Sequence, residues 1–412
     1  MNRNRLSRYT GFSFIVIVIL VLVQPVFAQD ALHIYGYFST NLEKVFSEPS
    51  VENGKIVKED APAEWALPSF NLMMRHDLTD KARVFINMSG ADGETVEMKN
   101  FWGEYDIHPL LTLRFGKIYR KFGLYNEILD AVPTYYGIEP PELFDSDHLI
   151  VSRTTTAMLH GKADAGKGVL AYSVSTDNGE GGPAKDLIPL GWDVNYKVGY
   201  GKYTFGASGY FSGGETVSDV ALGSGSPKTG VLPWMKSDEF SVFGVYSEVV
   251  LQNMTLQGAF WNASHNAVRD AASVLTILTE ANPNAAQRAR FLLNENGAVD
   301  LANIDTNGDY TVKTFYLRAG YSIETEKGEL APYAQIDYYK NDETIKSKKY
   351  GGDNEAGLAD DGDFKKGTIG LIYRPIPYIA FKLDGSAHFQ DLNGESNSYP
   401  EIRFNVSYLF GQ

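Results

Sequence analysis

The feature that most constrains the fold is an alternation of apolar and polar side chains with period two. It recurs in segments of about ten residues, the length a tilted strand needs to cross a bilayer. In Ile402–Phe410 one face carries Ile402, Phe404, Val406, Tyr408 and Phe410. In Ile379–Phe389 that face is Ile379, Phe381, Leu383, Gly385, Ala387 and Phe389, against Ala380, Lys382, Asp384, Ser386 and His388. Phe315, Leu317, Ala319, Tyr321 and Ile323 oppose Tyr316, Arg318, Gly320 and Ser322, and in Leu330–Tyr339 the polar face is Gln335, Asp337 and Tyr339. Residues two apart share a face of a strand, so these segments are strands with one greasy and one wet side. After Ala28 no apolar run approaches the roughly 18 residues of a spanning helix. A soluble sandwich and a closed barrel both remain.

The connections separate the two. Alternation places strands near 32–42, 69–77, 82–90, 96–107, 111–119, 156–162, 168–177 and 193–199. The second half places them near 203–212, 240–250, 254–262, 312–323, 329–340, 365–374, 378–389 and 401–410. Tight turns at Leu78–Lys81, His108–Leu110, Ala163–Lys167, Tyr200–Lys202, Leu251–Asn253, Glu324–Gly328 and Pro375–Pro377 alternate with longer stretches. The longer ones include Glu43–Pro68, Arg120–Thr155, Gly213–Glu239, Ala263–Thr311 and Asn341–Phe364. A sandwich has no reason to sort its loops by parity, whereas a membrane barrel carries short turns on one rim and long loops on the other. In lipid every backbone N–H and C=O must be paired, so a sheet survives there only when closed. The expected fold is an all-β transmembrane antiparallel barrel of 16 strands, with 14 or 18 as the neighbouring counts. Tyr35, Tyr37, Trp102, Tyr105, Trp261, Tyr338, Tyr408 and Phe410 stand where interfacial aromatic girdles would lie.

Residues 1–28 read as a secretory leader. Arg3, Arg5 and Arg8 precede an apolar stretch, Phe12–Val23, and Val26-Phe27-Ala28 supplies small residues before a cut. Twelve residues are too few for a bilayer core about 30 Å thick. The net charge is −14, and loss of the leader's three arginines and no acids leaves −17. That balance argues against nucleic-acid partners, which need a basic footprint. The absence of cysteine excludes disulfides, thiolate metal sites and a cysteine nucleophile. Nothing implies a cofactor. Export with a barrel pattern points to the outer membrane of a Gram-negative cell, with its lipid and lipopolysaccharide as neighbours.

The fifth strand ends in Gly116-Lys117, followed by Phe122-Gly123-Leu124, and the last strand ends Tyr408-Leu409-Phe410. With Ala380-Phe381-Lys382-Leu383 after the Pro375–Pro377 turn and Asp177-Asn178-Gly179 after the seventh strand, the chain resembles the porins, and more narrowly the phosphate-selective porin O/P type. Lys121 stands where that pattern has proline, and Gly411-Gln412 follow the terminal aromatic. The resemblance implies a passive diffusion channel for small polar solutes or ions, a homotrimer, and a long inward loop narrowing the lumen. That loop is residues 120–155. It carries Glu127, Asp130, Glu139, Glu142, Asp145 and Asp147, with Arg153 near its end, and Pro141-Glu142-Leu143-Phe144-Asp145 is similar to the inward loop of general porins. Basic wall residues expected opposite are Arg75, Arg83, Arg114, Lys117, Arg120 and Lys121. An acidic loop facing a basic wall sets a transverse field that orders polar solutes. The acidic loop and the charge of −17 favour cations or general polar solutes over phosphate. Arg318, Arg374, Lys382 and Arg403 form a basic track on the last strands that keeps an anionic solute open.

Other signals point to smaller features. Asp305, Asn307 and Asp309 alternate as in calcium loops but lack the later glutamate. Ala267–Leu293 suits a helix pair packed on an outer rim, and Asp353–Asp363 a solvated outer loop. His388, Asp384 and Ser386 share a polar face, the one arrangement suggesting a barrel enzyme. Side chains two apart on a strand sit about 6.6–6.8 Å apart, whereas nucleophile and base must come within about 3 Å.

Overall fold

The computed structural model describes residues 32–411 apart from 53–54, 67, 92–94, 129–131, 143–153, 178–186, 219, 225–229, 282, 284, 344 and 346–358. The expected leader lies outside the described residues. The first eight barrel strands are β1 (Leu32–Val45), β2 (Ser69–Asp77), β3 (Ala82–Ala91), β4 (Thr95–His108), β5 (Leu111–Ile118), β6 (Thr154–Ala165), β7 (Gly168–Asp177) and β8 (Leu190–Val198). The others are β9 (Tyr203–Phe211), β10 (Met235–Leu251), β11 (Met254–Arg269), β12 (Tyr310–Tyr321), β13 (Gly328–Asn341), β14 (Asp363–Ile376), β15 (Ile379–Leu392) and β16 (Glu395–Gly411). Each pairs antiparallel with the next, and β1 pairs with both β2 and β16, which closes a barrel of 16 strands. Two short pieces, Glu64–Trp65 beside β1 and Ile323–Thr325 at the end of β12, lengthen the ladder. A hairpin of Glu48–Glu52 and Lys55–Glu59 stands in the first outer loop.

Alternation acts as the lipid argument requires. Leu317, Ile336, Ile369, Leu383 and Ile402 point outward and are 49–72% exposed. Their neighbours Arg318, Gln335, Thr368, Lys382, Asp384 and Glu401 point inward and are at most 8% exposed. Four of the expected girdle aromatics follow the outer face: Tyr105, Tyr338, Tyr408 and Phe410. Tyr35, Tyr37, Trp102 and Trp261 face inward instead, because they share rows with Met73, Asn71, Glu104 and Ala263. Aromatic content near a strand end does not by itself tell which side of the pleat a ring takes.

The strands run further toward the outer rim than alternation indicates. In β11 the outward row changes from Leu256 and Phe260 to Asn262, Ser264 and Asn266, while the inward row becomes Ala263, His265 and Ala267, all buried. Cross-strand register aligns Phe260 with Phe315 and Phe315 with Tyr338. One step higher it aligns Asn262 with Lys313 and Lys313 with Lys340. An aromatic row topped by a polar row marks the upper edge of the hydrocarbon. Above it the outside meets water and the inside must be covered, so the pattern inverts. Tyr310, Val312, Phe240 and Phe364 are buried inward there. The covering elements include the expected helix pair, α1 (Ala271–Glu280) and α2 (Ala285–Phe291). Asp270 caps α1 by accepting from Ser273 N at 2.8 Å, and Val274, Ile277 and Leu278 form its buried stripe.

The last hairpin differs most from the sequence reading. The expected connection between 389 and 401 is in fact strand, turned at Asn393-Gly394 with φ of 54° and 76°. Asn-Gly suits a two-residue turn with positive φ at both positions. The polar outward residues around it lie beyond lipid, so no apolar alternation advertised them as strand.

Candidate functional site

Across β2–β5 the inward charges form a row of alternating sign. Asp77 stands opposite Arg83, Arg83 opposite Glu104, and Glu104 opposite Arg114. Opposed charges of opposite sign on one face attract across the ladder. Arg75 pairs with Asp77 at 2.9 Å, Arg83 with Glu104 at 3.3 Å and also with Asp106, and Arg114 with Glu104 at 2.6 Å. His160 of β6 reaches the same Glu104 at 3.0 Å, and Thr112 donates to Asp106 at 2.7 Å. The guanidinium of Arg114 lies 4.3 Å over Trp102, whose other neighbour is Phe85 at 5.1 Å. Arg75, Arg83 and Arg114 are thus gathered on one wall. Their partners Glu104, Asp106 and His160 were missed in the sequence. Inward parity within β4, between Gly103, Tyr105 and Ile107, would have found the two acids.

The described part of the long segment after β5 contacts inward side chains on the other wall. Arg120 pairs with Asp177 at 2.7 Å and lies 4.1 Å over Tyr210. Gly123 N donates to Ser208 at 3.0 Å, and Phe122 packs 5.3 Å from Trp261. Further along, the ammonium of Lys382 donates to the carbonyls of Tyr135 (2.9 Å) and Gly137 (2.7 Å). Gly137 has a φ of +91°, and a Cβ there would stand 2.7 Å from Glu139 O. Asp384 accepts from Ile138 N at 2.9 Å and from the Tyr333 hydroxyl. Arg318 reaches the Tyr125 hydroxyl and Gln335.

The acids of this segment therefore meet a different wall from the expected one. Glu142 pairs with Lys366 at 2.7 Å, and Glu139 with Lys366 at 3.4 Å and with Arg403. Among the described residues Glu127 does approach an expected arginine, at 3.5 Å from Arg114. Asp130, Asp145, Asp147 and Arg153 lie outside the described residues. Lys366 was missed because a lone lysine after Lys365 carries no signal of which one turns inward. Arg374 pairs with Glu329 at 2.7 Å. Lys117 shares the outward row of Phe101 and Phe115, not the lumen face, because Phe101 is its cross-strand partner. Arg120 is buried in its ion pair and does not face open lumen.

Exposure shows where space remains. Arg75 keeps 41% of its side-chain surface, Asp106 30% and Glu127 45%. Arg318, Lys366, Lys382 and Asp337 keep almost none. A cavity of about 900 Å³ extends from Lys121 and Glu127 to Lys162, Asp164 and Lys197, toward the short-turn rim. One side of the lumen is thus a polar lane along β2–β8, and the other is filled.

The smaller signals resolve locally. The side chains of Asp305 and Asn307 accept from backbone amides of Asn307 and Asp309 at 3.0 and 3.1 Å, and Asp309 accepts from Ala267 N at 2.9 Å. Among the described residues no group of three His, Cys, Asp or Glu side chains is placed to hold a metal ion. His388 bonds Glu401 at 3.0 Å and Ser386 bonds Thr368 at 2.9 Å, so the row His388, Ser386 and Asp384 is split among separate partners.

No family model and no curated protein matches the chain in sequence. Solved structures match its fold. The anion-selective porin from Comamonas acidovorans is 10% identical, with 92% of this chain and 99% of that one aligned at a TM-score of 0.54. The outer membrane channel DcaP of Acinetobacter baumannii is 11% identical, with coverages of 93% and 99% and a TM-score of 0.54. Salmonella typhi OmpF in complex with daunomycin is 12% identical, with coverages of 92% and 97% and a TM-score of 0.51. The shared feature is the fold, a closed antiparallel barrel of 16 strands, which these outer-membrane porins also have.

Proposed function

We propose that the protein is a passive, water-filled channel for small polar or charged solutes in the outer membrane of a Gram-negative bacterium. The leader 1–28 is cleaved on export, three copies associate, and the protein is not an enzyme. The carrying observation is the polar lane: Arg75, Arg83, Arg114 and Asp106 keep solvent-exposed surface along one wall, held by the buried Glu104, while the opposite wall is packed. Residues 120–155 act as the constriction. Their basic counterparts for the solute are Arg83, Arg114 and Lys121, and the loop's own Glu127 reaches Arg114 at 3.5 Å. Asp130, Asp145 and Asp147 are assigned to the same constriction by sequence position. Alternating charges on the lane suit dipolar and zwitterionic solutes, which align in a transverse field. The narrower O/P-type reading rests on Gly116-Lys117 and Phe122-Gly123-Leu124. Phe122 and Gly123 here fasten the start of the loop, so that likeness concerns loop anchoring more than the solute.

The test is current through planar bilayers. Folded wild type is expected to give stepwise conductance increments, and Arg83→Ala with Arg114→Ala to move the reversal potential in a salt gradient toward cations. Folded, inserted protein that passes no current overturns the proposal.

A further inference from the structure

The filled side of the lumen is one continuous apolar body made from four separate connections. Phe122, Tyr125 and Tyr135 come from the loop after β5, and Val231, Leu232 and Trp234 from the connection before β10. Val274, Ile277, Leu278, Phe291 and Ile304 come from the helical connection after β11, and Ile345 from the one after β13. Inward wall rings join them: Tyr210 packs 5.8 Å from Phe240, Phe240 5.0 Å from His265, and Tyr246 6.2 Å from Trp261. The loop after β5 is therefore seated against the same core that the outer connections complete.

At the top of this core sits a buried ionic clasp. Glu343 accepts from two of the three guanidinium nitrogens of Arg269, Nε and Nη2, at 2.6 Å each, and from Trp234 Nε1 at 3.1 Å. Glu343 is 2% exposed and Trp234 0%. Arg269 also donates to Asp305 O at 3.0 Å and lies 5.0 Å over Phe291. Arg290 of α2 donates to the carbonyls of Asp342 and Asp360. The clasp thus joins the connection before β10, the end of β11, the helical connection and the one after β13. Burial pushes the Glu343 carboxyl up from its usual range, and the Arg269 guanidinium opposes that. A bidentate guanidinium–carboxylate pair fixes angle as well as distance. None of Trp234, Arg269 or Glu343 touches the polar lane.

We propose that Glu343, with Arg269 and Trp234, is a positioning device for pore width: the outer cap it clasps holds the constriction loop against the β9–β16 wall and keeps the lane open. The proposal rests on the channel reading. Loosening the cap removes part of the shared core around Phe122, Tyr125 and Tyr135 and leaves them their wall contacts to Trp261 and Tyr316, so the loop then samples positions across the lane.

The experiment compares Glu343→Gln, Glu343→Asp and Ile277→Ala with wild type in planar bilayers, using protein whose unboiled gel migration shows it folded. Glu343→Gln and Ile277→Ala are expected to change single-channel conductance at least twofold, or to split it into several levels, and to move the reversal potential. Glu343→Asp, which keeps the charge, is expected to restore single-level behaviour. Folded variants with wild-type conductance and reversal potential, altered only in unfolding temperature, would assign the clasp to stability alone and overturn the proposal. A wild type that passes no current refutes the channel reading and this proposal together. Ile277→Ala guards against a Glu343→Gln variant that fails to fold, because it carries no charge change.

Discussion

At the scale of single residues, Glu104 is the hub of the lane. It is 8% exposed and bonded to Arg83, Arg114 and His160, so its negative charge balances two fixed guanidinium groups. Breaking a buried pair by removing one partner costs about 3–5 kcal/mol, which makes the isosteric amide the informative change. Glu104→Gln is expected to leave the channel folded and to shift its reversal potential toward anions. In a tenfold salt gradient the shift is on the order of 10 mV of the ~59 mV available to a monovalent ion. An unmoved reversal potential would mean that solutes do not pass this wall.

At the scale of elements, β12 spans two solvents on one face. Leu317 lies in the lipid-facing row and is 57% exposed. Thr311 shares that row above the level of Phe315 and Lys313. A cationic residue at mid-membrane on the lipid face costs roughly 2–4 kcal/mol, falling to about 0–1 near the interface. Leu317→Arg is therefore expected to lower the urea midpoint for unfolding from vesicles, and Thr311→Arg to leave it close to wild type. Equal losses at both sites would displace the proposed edge of the hydrocarbon. The Asn393-Gly394 turn offers a second check. A Cβ at Gly394 meets nothing within 4 Å, so Gly394→Ala tests backbone conformation alone. At φ 76° the left-handed cost of about 1–2 kcal/mol should appear in the same titration.

At the scale of the whole molecule, the barrel is divided lengthwise into a wet lane and a dry body. The chain has no cysteine, so a single introduced thiol reports its own surroundings. Thr112 of β5 stands in the lane, hydrogen-bonded to Asp106, whereas Thr314 of β12 faces inward at 3% exposure against the packed side. A water-soluble thiol reagent is expected to reduce current through Thr112→Cys within minutes and through Thr314→Cys far more slowly. Matching rates would show that water reaches both sides equally.

The strand count, the closed sheet and the identity of the lipid face were legible in the sequence. Hydrocarbon imposes them residue by residue: a side chain two positions along must be apolar whatever the rest of the chain does, as Leu317, Ala319 and Tyr321 show. The arginines of the lane were legible for the same reason, since a charge between two lipid-facing neighbours has only the lumen left. Tertiary structure alone decided which acids meet which bases. Glu139 and Glu142 go to Lys366 and Arg403 because their segment crosses to β14 and β16, a path fixed by contacts of Lys382 and Asp384 hundreds of residues away. It also decided that the described inward side chains of β12–β15 are packed away from solvent. Above the membrane edge water replaces hydrocarbon outside and the pattern inverts, so Phe240, Val312 and Trp234 find their partners by packing among distant loops, which local alternation does not encode.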